Sequence, residues 1–160
     1  MSEYLIVDGL KLREKVRAII TDTNGRVLLI RPHGYDDNSW TLAGGGVEKN
    51  ESPYQAMLRE LAEELCLAPA LSVWPLLVSN RFIYSQDYKQ KRHLDHDGQN
   101  ATMFACNVRA DVELTLQAKE VADARWFAVD EAINAFPVAK QRSIFQSCIE
   151  EIQRTSSARF

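Results

Sequence analysis

Three glutamates within five residues limit most strongly what this chain can fold into. They lie at positions 60, 63 and 64. Residues three and four apart on a helix are neighbours, so Glu60 would face both Glu63 and Glu64. Like charges placed so close together repel each other, and holding them on a partly buried face would cost stability. A bound cation removes that cost, and Mg²⁺ takes oxygen ligands of this kind. The spacing therefore predicts a helix that carries a magnesium site.

The start of this helix is marked by its own residues. Ser52 and Gln55 have the spacing of a capping box, and Pro53 falls at the first helical position. Arg59 precedes Glu63 by four residues, which is the spacing of a helical ion pair. The pattern predicts an apolar face with the three glutamates largely on other sides of the helix. That face consists of Ala56, Leu58, Leu61, Ala62 and Leu65.

Three consecutive glycines precede the helix. Gly44, Gly45 and Gly46 have no side chains, so the backbone there can approach a phosphate or a metal ion closely. We interpret them as a loop. A glycine loop that leads into clustered carboxylates predicts a site for metal-bound phosphates.

The segment from 45 to 67 resembles the Nudix box, G-x5-E-x7-R-E-U-x-E-E-x-G-U, in which U is aliphatic. The matching residues are Gly45, Glu51, Arg59, Glu60, Leu61, Glu63, Glu64 and Leu67. Cys66 stands where the family usually has glycine, so we expect an altered helix C-terminus with the chemistry retained. Two further positions differ from the residues that the family commonly has: Ala43 stands where a proline is usual, and Asn50 stands where a glycine is common. The alternative is a solvated glutamate-rich helix, and the register of the glycines and Glu51 argues against it.

This resemblance implies a Mg²⁺-dependent hydrolase of phosphoanhydride bonds, with Mn²⁺ as an alternative ion. Glu60 and Glu64 would then be the direct metal ligands. Glu63 would be a further ligand or would act through a water molecule. The carbonyl of Gly45, or of a neighbouring glycine, would complete the ligand shell.

The resemblance also implies roles for residues around the metal. Glu51 would anchor the loop, and Arg59 would orient a carboxylate. The general base in this family is a glutamate of the motif or one from a distant loop. Glu120, six residues before Trp126, is the external candidate, because Nudix RNA 5′-pyrophosphohydrolases and dinucleoside polyphosphate hydrolases have a similar Glu…Trp arrangement. A surface glutamate before a strand is the alternative reading. Weaker candidates are Glu113 and Asp123.

Residues outside the motif are expected to choose the substrate. The polar segment from 85 to 100 reads as a functional loop, and its Lys91 and Arg92 either contact phosphates or are solvated. Arg13 and Arg31 flank predicted strands from which they would reach a polyphosphate. Core packing is the alternative for the aromatic residues, and for Trp40 above all. Candidates for stacking on a base are Tyr35, Trp40, Phe82 and Tyr84.

Several features resemble the RNA pyrophosphohydrolase and dinucleoside polyphosphate branch of the family. They include Ser39-Trp40 before the glycines, Gly98-Gln99 before a strand, and Lys140-Gln141-Arg142 at the last helix. The expected substrate is therefore a nucleoside diphosphate linked to another group, such as a dinucleoside polyphosphate or the 5′ end of RNA. Free (d)NTPs, ADP-ribose and nucleotide sugars are the alternative substrates. A non-catalytic ligand sensor is the alternative of another class, although such domains usually lack some of the carboxylates present here.

Strands and helices alternate along the rest of the chain. Strands are predicted over 15–21, 27–30, 73–84, 101–108 and 124–129, with Asn24-Gly25 as a hairpin turn. A short helix capped by Asp130 should run to Phe136, a last helix should cover 140–152, and 154–160 should fray. A mixed sheet between helices agrees with the Nudix-type α/β/α sandwich that the resemblance implies, as a single domain over 1–160.

Composition narrows the class of protein. Apolar residues make up 46% of the 160 residues, which is too many for a disordered chain. No apolar run approaches the roughly 20 residues that span a bilayer, and the first residues do not resemble a secretory signal. The three cysteines lack metal-ligand spacing, so we expect reduced thiols in a cytoplasmic protein. The net charge of −3 does not attract nucleic acid in general, so a phosphate substrate would depend on bound metal and nearby Arg and Lys. The oligomeric state stays open.

Overall fold

One mixed sheet flanked by helices makes up the structure. The computed structural model describes residues 3–67 and 72–158. The strands are β1 (Tyr4–Val7), β2 (Leu10–Asp22), β3 (Val27–Pro32), β4 (Ala43–Gly46), β5 (Ser72–Ile83), β6 (Gly98–Val108) and β7 (Val121–Phe127). The helices are α1 (Pro53–Leu65), α2 (Gln86–Arg92), α3 (Val129–Ala135) and α4 (Ala139–Ala158).

Strand β2 is the centre of the sheet. The main order is β5-β6-β2-β3-β7, and β1 and β4 also pair with β2. The β2–β6 pair is parallel and the other pairs are antiparallel. On one edge, β2 pairs with β3 at its far end and with the glycine strand β4 nearer its start. This change of partner brings β4 into the sheet beside the first half of β2.

The two faces of the sheet carry separate apolar cores, because successive strand side chains point to opposite faces. Val16, Ala18 and Ile20 of β2 pack in the core that α1 covers. Ile19, in contrast, belongs to the core covered by α3 and α4, which includes Phe145. The α/β/α sandwich with a mixed sheet is therefore confirmed.

The turn between β2 and β3 is a hairpin, as predicted from Asn24-Gly25. Gly25 has a φ of 76°, a conformation that glycine adopts without steric cost, and its N–H donates to the Asp22 carbonyl. The buried Asp22 carboxylate accepts from the backbone N–H groups of Asn24 and Arg26 and from the Arg26 guanidinium. These bonds hold the pKa of Asp22 below its usual value against the opposing effect of burial.

Several predicted elements have other boundaries in the structure. Glycines 44–46 form β4 instead of the predicted loop, because β2 offers their backbone a ladder of hydrogen bonds. The segment 85–100 is not one loop, because it contains α2 and the start of β6. Helix α3 begins before Asp130, with Ala128 as N-cap and no side-chain cap bond. Helix α4 runs from Ala139 to Ala158, so it ends later than the predicted boundary at 152, and 159–160 lie outside the described residues.

In strand β5, a side chain accepts hydrogen bonds from backbone N–H groups at an irregular part of the strand. Its register shifts between Pro75 and Ser79, at the edge of the sheet where proline is tolerated. The buried carboxylate of Glu151 in α4 accepts hydrogen bonds from the N–H groups of Leu77 at 2.9 and 2.8 Å and of Val78 at 3.0 Å.

In the part of the chain that the structure describes, no helix is long and apolar enough to cross a bilayer.

Candidate active site

Helix α1 carries the glutamates and begins as its sequence indicates. Ser52 Oγ accepts the Gln55 N–H at 3.1 Å, and Gln55 Oε1 accepts the Ser52 N–H at 2.9 Å, which completes the capping box. The predicted faces need correction, because Glu60 and Glu64 are only 8% and 5% exposed. Both lie on the buried side of α1, together with Ala56, Met57, Leu61 and Leu65. Ala62 is exposed instead, and Glu63 projects into solvent.

The glycine strand makes room for Glu60. A Cβ atom on Gly45 would lie 2.2 Å from Glu60 Oε1 and 2.5 Å from its carboxyl carbon. No real Cβ approaches another atom so closely, so only glycine allows this carboxylate to lie against β4. The close approach expected for the glycine segment is therefore present, although it is made by a strand.

Gly44 holds the second buried carboxylate. Its N–H donates to Glu64 Oε1 at 2.7 Å, and its φ of 147° is a conformation that residues with side chains rarely adopt. A Cβ at this position would also lie 2.0 Å from the Val16 carbonyl oxygen. Gly44 and Gly45 thus fix the two buried glutamates from adjacent positions of one strand.

Arg59 joins the start of the motif to its centre. Nε and Nη2 donate to the two oxygens of Glu51 at 2.8 and 2.9 Å, which is a bidentate pair. Nη2 also donates to the Gly46 carbonyl at 2.9 Å, and Nη1 donates to Glu60 Oε1 at 3.0 Å. The predicted contact with Glu63 is a longer bond of 3.3 Å. Hydrogen bonds from Arg59 hold the pKa of Glu51 below its usual value, and Glu51 in turn raises the pKa of Arg59.

Burial raises the pKa of both glutamates on the inner face of α1. The pKa of Glu64 is raised from 4.5 to about 7, chiefly by burial, while the Gly44 N–H acts in the opposite sense. The charges of Glu60 and Glu120 raise it further, and Arg17 lowers it. Burial likewise raises the pKa of Glu60, with Arg59 opposing and Glu63 and Glu120 adding to the effect. The ionised form of both buried carboxylates is thus disfavoured, chiefly by burial.

The donors in this cluster suit a hard cation. Glu60 and Glu64 present carboxylate oxygens that lie against the glycine backbone, and oxygen ligands are those that Mg²⁺ prefers. A dication would relieve the repulsion and desolvation that raise the pKa values of both glutamates. Within residues 3–67 and 72–158, no three acidic, histidine or cysteine side chains stand close enough together to hold an ion as they are. Final ligation would therefore require small side-chain movements, such as release of Glu60 from Arg59.

Glu120 lies near these glutamates, since its charge raises the pKa of both Glu60 and Glu64. The preceding segment docks on the end of α1, where the Gln117 N–H donates to the Glu64 carbonyl at 3.0 Å. The exposed position of Glu120 leaves its carboxylate facing solvent beside the cluster. Its backbone carbonyl accepts from the His33 N–H, which ties this segment to the end of β3.

A row of basic residues runs along β2 beside the glycine strand. Arg13, Lys15 and Arg17 alternate along the strand, so their side chains share one face of the sheet. Lys15 and Arg17 pair in register with Gly46 and Gly44, and Arg13 Nη2 would be 2.8 Å from a Cβ on Gly46. Burial and the two neighbouring arginines lower the pKa of Lys15 to about 8, with Glu60 opposing. Sequence reasoning found Arg13 but missed Lys15 and Arg17, although their spacing of two in a predicted strand was a usable signal.

The other predicted substrate contacts are more dispersed. Trp40 is only 5% exposed and packs edge-on against Phe127, so its proposed stacking on a base is wrong and it is a core residue. Arg31 lies 5.9 Å from that ring, and its Nη1 is 3.4 Å from Asp37. Lys91 pairs with an aspartate of its own helix α2, and Arg92 lies over the Tyr88 ring. Within the described residues, neither of these two α2 cations contacts a glutamate of the cluster.

Cys66 keeps the cap that glycine would make. Its φ of 55° is left-handed, its N–H donates to the Ala62 carbonyl, and the Leu67 N–H donates to the Leu61 carbonyl. The altered helix end expected from this substitution is therefore wrong, since the side chain is accommodated in the usual C-terminal geometry. Asn50 likewise adopts a positive φ of 65° where the family commonly has glycine.

Comparison with known proteins agrees with this geometry. The model of the NUDIX domain matches residues 11–147. The RNA pyrophosphohydrolase of Halorhodospira halophila is 45% identical over 65 residues, which are 41% of this chain but only 35% of that relative's length. The CTP pyrophosphohydrolase of Escherichia coli is 31% identical over 132 residues, which cover 81% of this chain and 85% of that relative.

Solved structures share the architecture at low sequence identity. The Ap4A hydrolase of C. elegans, in a binary complex, has a TM-score of 0.67 at 17% identity and covers 88% of this chain and 97% of its own. The dihydroneopterin triphosphate pyrophosphohydrolase of E. coli has a TM-score of 0.70 at 17% identity, with 84% and 92% covered. At such identities these structures support the fold alone.

Proposed function

Because this chain belongs to the NUDIX family, we propose that it is a Mg²⁺-dependent hydrolase that cleaves a phosphoanhydride bond in a nucleoside polyphosphate. The observation that carries the proposal is the placement of Glu60 and Glu64 against the glycines of β4. All the carboxylates of the family motif are present in the sequence.

The side chains have distinct proposed roles. Glu60 and Glu64 hold the ion, with Glu63, Glu120 and the Gly45 carbonyl as further oxygen donors. Mg²⁺, or Mn²⁺ in its place, would neutralise phosphate oxygens and lower the pKa of a bound water. Arg59 and Glu51 keep the cluster in position through their bidentate pair.

The basic row would supply the substrate with positive charge. Arg13 and Lys15 lie beside Gly46, where they would bind the phosphates of a polyphosphate chain. Because the net charge of the whole chain is −3, this local charge is what would attract an anionic substrate. Arg31 is a weaker candidate for binding phosphate, because its guanidinium already contacts Asp37 and lies over the Trp40 ring.

Two substrate classes follow from different observations. The 5′ end of triphosphorylated RNA and dinucleoside polyphosphates are favoured by the 45% identity with an RNA pyrophosphohydrolase around the motif. Free nucleoside triphosphates are favoured by the CTP pyrophosphohydrolase, because that match extends over most of both chains. A cytoplasmic location stays a prediction from the cysteine pattern.

A substrate panel tests the proposal directly. Purified protein is incubated with Mg²⁺ and 5′-triphosphate RNA, diadenosine tetraphosphate, the four nucleoside triphosphates, ADP-ribose and nucleotide sugars. Released phosphate, pyrophosphate and mononucleotides are measured. We expect turnover of at least one substrate, abolished by Glu64→Gln and retained by Glu150→Gln, which alters an exposed carboxylate on α4.

The same panel distinguishes an enzyme from a ligand sensor. A sensor would turn over no member of the panel, and its nucleotide affinity would be unaffected by Glu64→Gln. That result would overturn the proposed activity. For the general base, Glu120→Gln should lower kcat, and an unchanged rate would exclude Glu120 from this role.

A further inference from the structure

The turn that carries Glu120 begins beside the helix that carries the glutamate cluster. This turn covers residues 118–120, which are all exposed. Just before it, the Gln117 N–H donates to the Glu64 carbonyl at 3.0 Å. The Gln117 carbonyl accepts from the N–H groups of Glu120 and Val121, which closes the turn. This position agrees with the effect of the Glu120 charge, which raises the pKa of both buried glutamates.

His33 contacts the same turn from the end of β3. The register of the β3–β7 pair shifts there, and Pro32 has no N–H to donate. The next residue continues the pairing, because the His33 N–H donates to the Glu120 carbonyl at 3.2 Å. The His33 ring reaches further along the turn, and its Nε2 lies 2.6 Å from the Ala118 carbonyl oxygen. One residue thus binds two carbonyls of the turn, one through its backbone and one through its side chain.

The ring contact requires a proton on Nε2. A carbonyl oxygen only accepts hydrogen bonds, so Nε2 must be the donor. His33 and Ala118 are 85 residues apart in the sequence, so this bond joins the end of β3 to a distant turn. Exposed turns are more mobile than the strands that they connect. Without the ring bond, the turn would keep only its backbone contacts, and the Glu120 carboxylate would move more freely relative to the cluster.

We propose that His33 is a positioning residue, whose ring N–H holds the turn so that the Glu120 carboxylate faces Glu60 and Glu64. This proposal rests on the function proposed above, in which Glu120 serves the metal ion or activates water. A residue that holds a metal-site carboxylate in place from outside the ligand shell changes metal affinity or rate by about 10- to 100-fold.

Two substitutions separate the hydrogen bond from the imidazole ring. His33→Gln keeps an N–H donor at about the reach of Nε2, whereas the amide of His33→Asn lies nearer to the Nδ1 position and falls short of the Ala118 carbonyl. His93→Asn is the matched control, because His93 is exposed at the end of α2 and asparagine tolerates its positive φ of 52°. One exposed hydrogen bond adds little to global stability, so these variants should melt close to the wild type.

Binding of Mn²⁺ alone tests the proposal without turnover. Mn²⁺ dissociation constants are measured by calorimetry for the wild type and each variant. Values of kcat and KM are measured with a substrate of the panel that is turned over. His33→Asn should raise the dissociation constant or lower kcat about 10-fold, with little change in KM. His33→Gln should recover most of the wild-type value, and His93→Asn should retain it.

A double-variant cycle shows whether His33 acts through Glu120. In Glu120→Gln, which removes the carboxylate charge, adding His33→Asn should change neither quantity further. The same loss with and without the Glu120 carboxylate would reveal a general effect on the fold and would overturn the proposal. Equal losses in His33→Asn and His33→Gln would also overturn it, as would a wild-type Mn²⁺ affinity in His33→Asn without any loss of kcat. A chain that turns over no member of the panel would overturn the proposed activity, and the Mn²⁺ affinities would then decide the role of His33.

Discussion

The burial of Glu64 makes the stability of the metal-free protein depend on pH. Its pKa is about 7 in the folded protein, compared with 4.5 for an ordinary glutamate. Since one pKa unit corresponds to about 1.4 kcal/mol, this difference in proton affinity is worth about 3 kcal/mol. Between pH 4.5 and 7 the folded state keeps a proton that the unfolded state has released, so the unfolding free energy falls as the pH rises. The stabilisation is fully present below pH 4.5 and is lost above pH 7.

Glu64→Gln tests this reasoning, because the amide is neutral at every pH and keeps an oxygen for the Gly44 N–H. Urea unfolding is followed in EDTA from pH 4.5 to 8 for the wild type, Glu64→Gln and the exposed control Glu150→Gln. At pH 8 the Glu64→Gln variant should be more stable than the wild type by up to about 3 kcal/mol, and at pH 4.5 the two should be equal. A smaller slope should persist in the variant, because the pKa of Glu60 is also raised.

Metal provides the second arm of the same experiment. Mg²⁺ at pH 8 should stabilise the wild type, since it compensates the buried charge, and should stabilise Glu64→Gln much less. Identical pH profiles for the wild type and Glu64→Gln in EDTA would refute the argument that burial of this carboxylate is costly.

Three further predictions follow from contacts in the fold. Gly45→Ala should raise the Mg²⁺ concentration for half-maximal rate at least ten-fold, because the new Cβ would displace Glu60. An unchanged Mg²⁺ requirement would contradict the role of Gly45 in making room for Glu60. Arg59→Lys should lower kcat about 10- to 100-fold with a smaller change in stability, since lysine cannot make the bidentate pair with Glu51; wild-type kinetics would show that the pair is dispensable. Glu151→Ala should reduce the unfolding free energy by about 2–4 kcal/mol in urea, because three hydrogen bonds to strand β5 are lost, and a change below 0.5 kcal/mol would contradict the assigned role.

Local signals in the sequence predicted the elements that local chemistry controls. The capping box at Ser52 and the turn at Asn24-Gly25 both form as expected, because each depends on residues within a few positions. Asp8-Gly9 carries the same hairpin signal, and it joins β1 to β2 with both residues at positive φ. The first strand was therefore missed although its signal was present.

Other errors arose where distant residues decide the conformation. The glycines at 44–46 form a strand because β2 pairs with them. No residue near them in the sequence indicates this pairing. Trp40 is buried because the fold brings Phe127 against it, although the sequence allowed it to stack on a ligand. The long segment after β5 contains α2, whose N-cap Ser85 accepts the Tyr88 N–H.

The sequence by itself determined the family, the sheet-and-helix class and the set of glutamates, because these depend on residue type and fixed spacing. Only the tertiary structure decided which glutamates are buried and which glycine each one meets. It also decided that the basic residues of β2 lie beside them and that His33 contacts the turn that carries Glu120. The reason is that burial and charge proximity are set by strands distant in sequence, and these contacts raise the pKa of Glu64 to about 7.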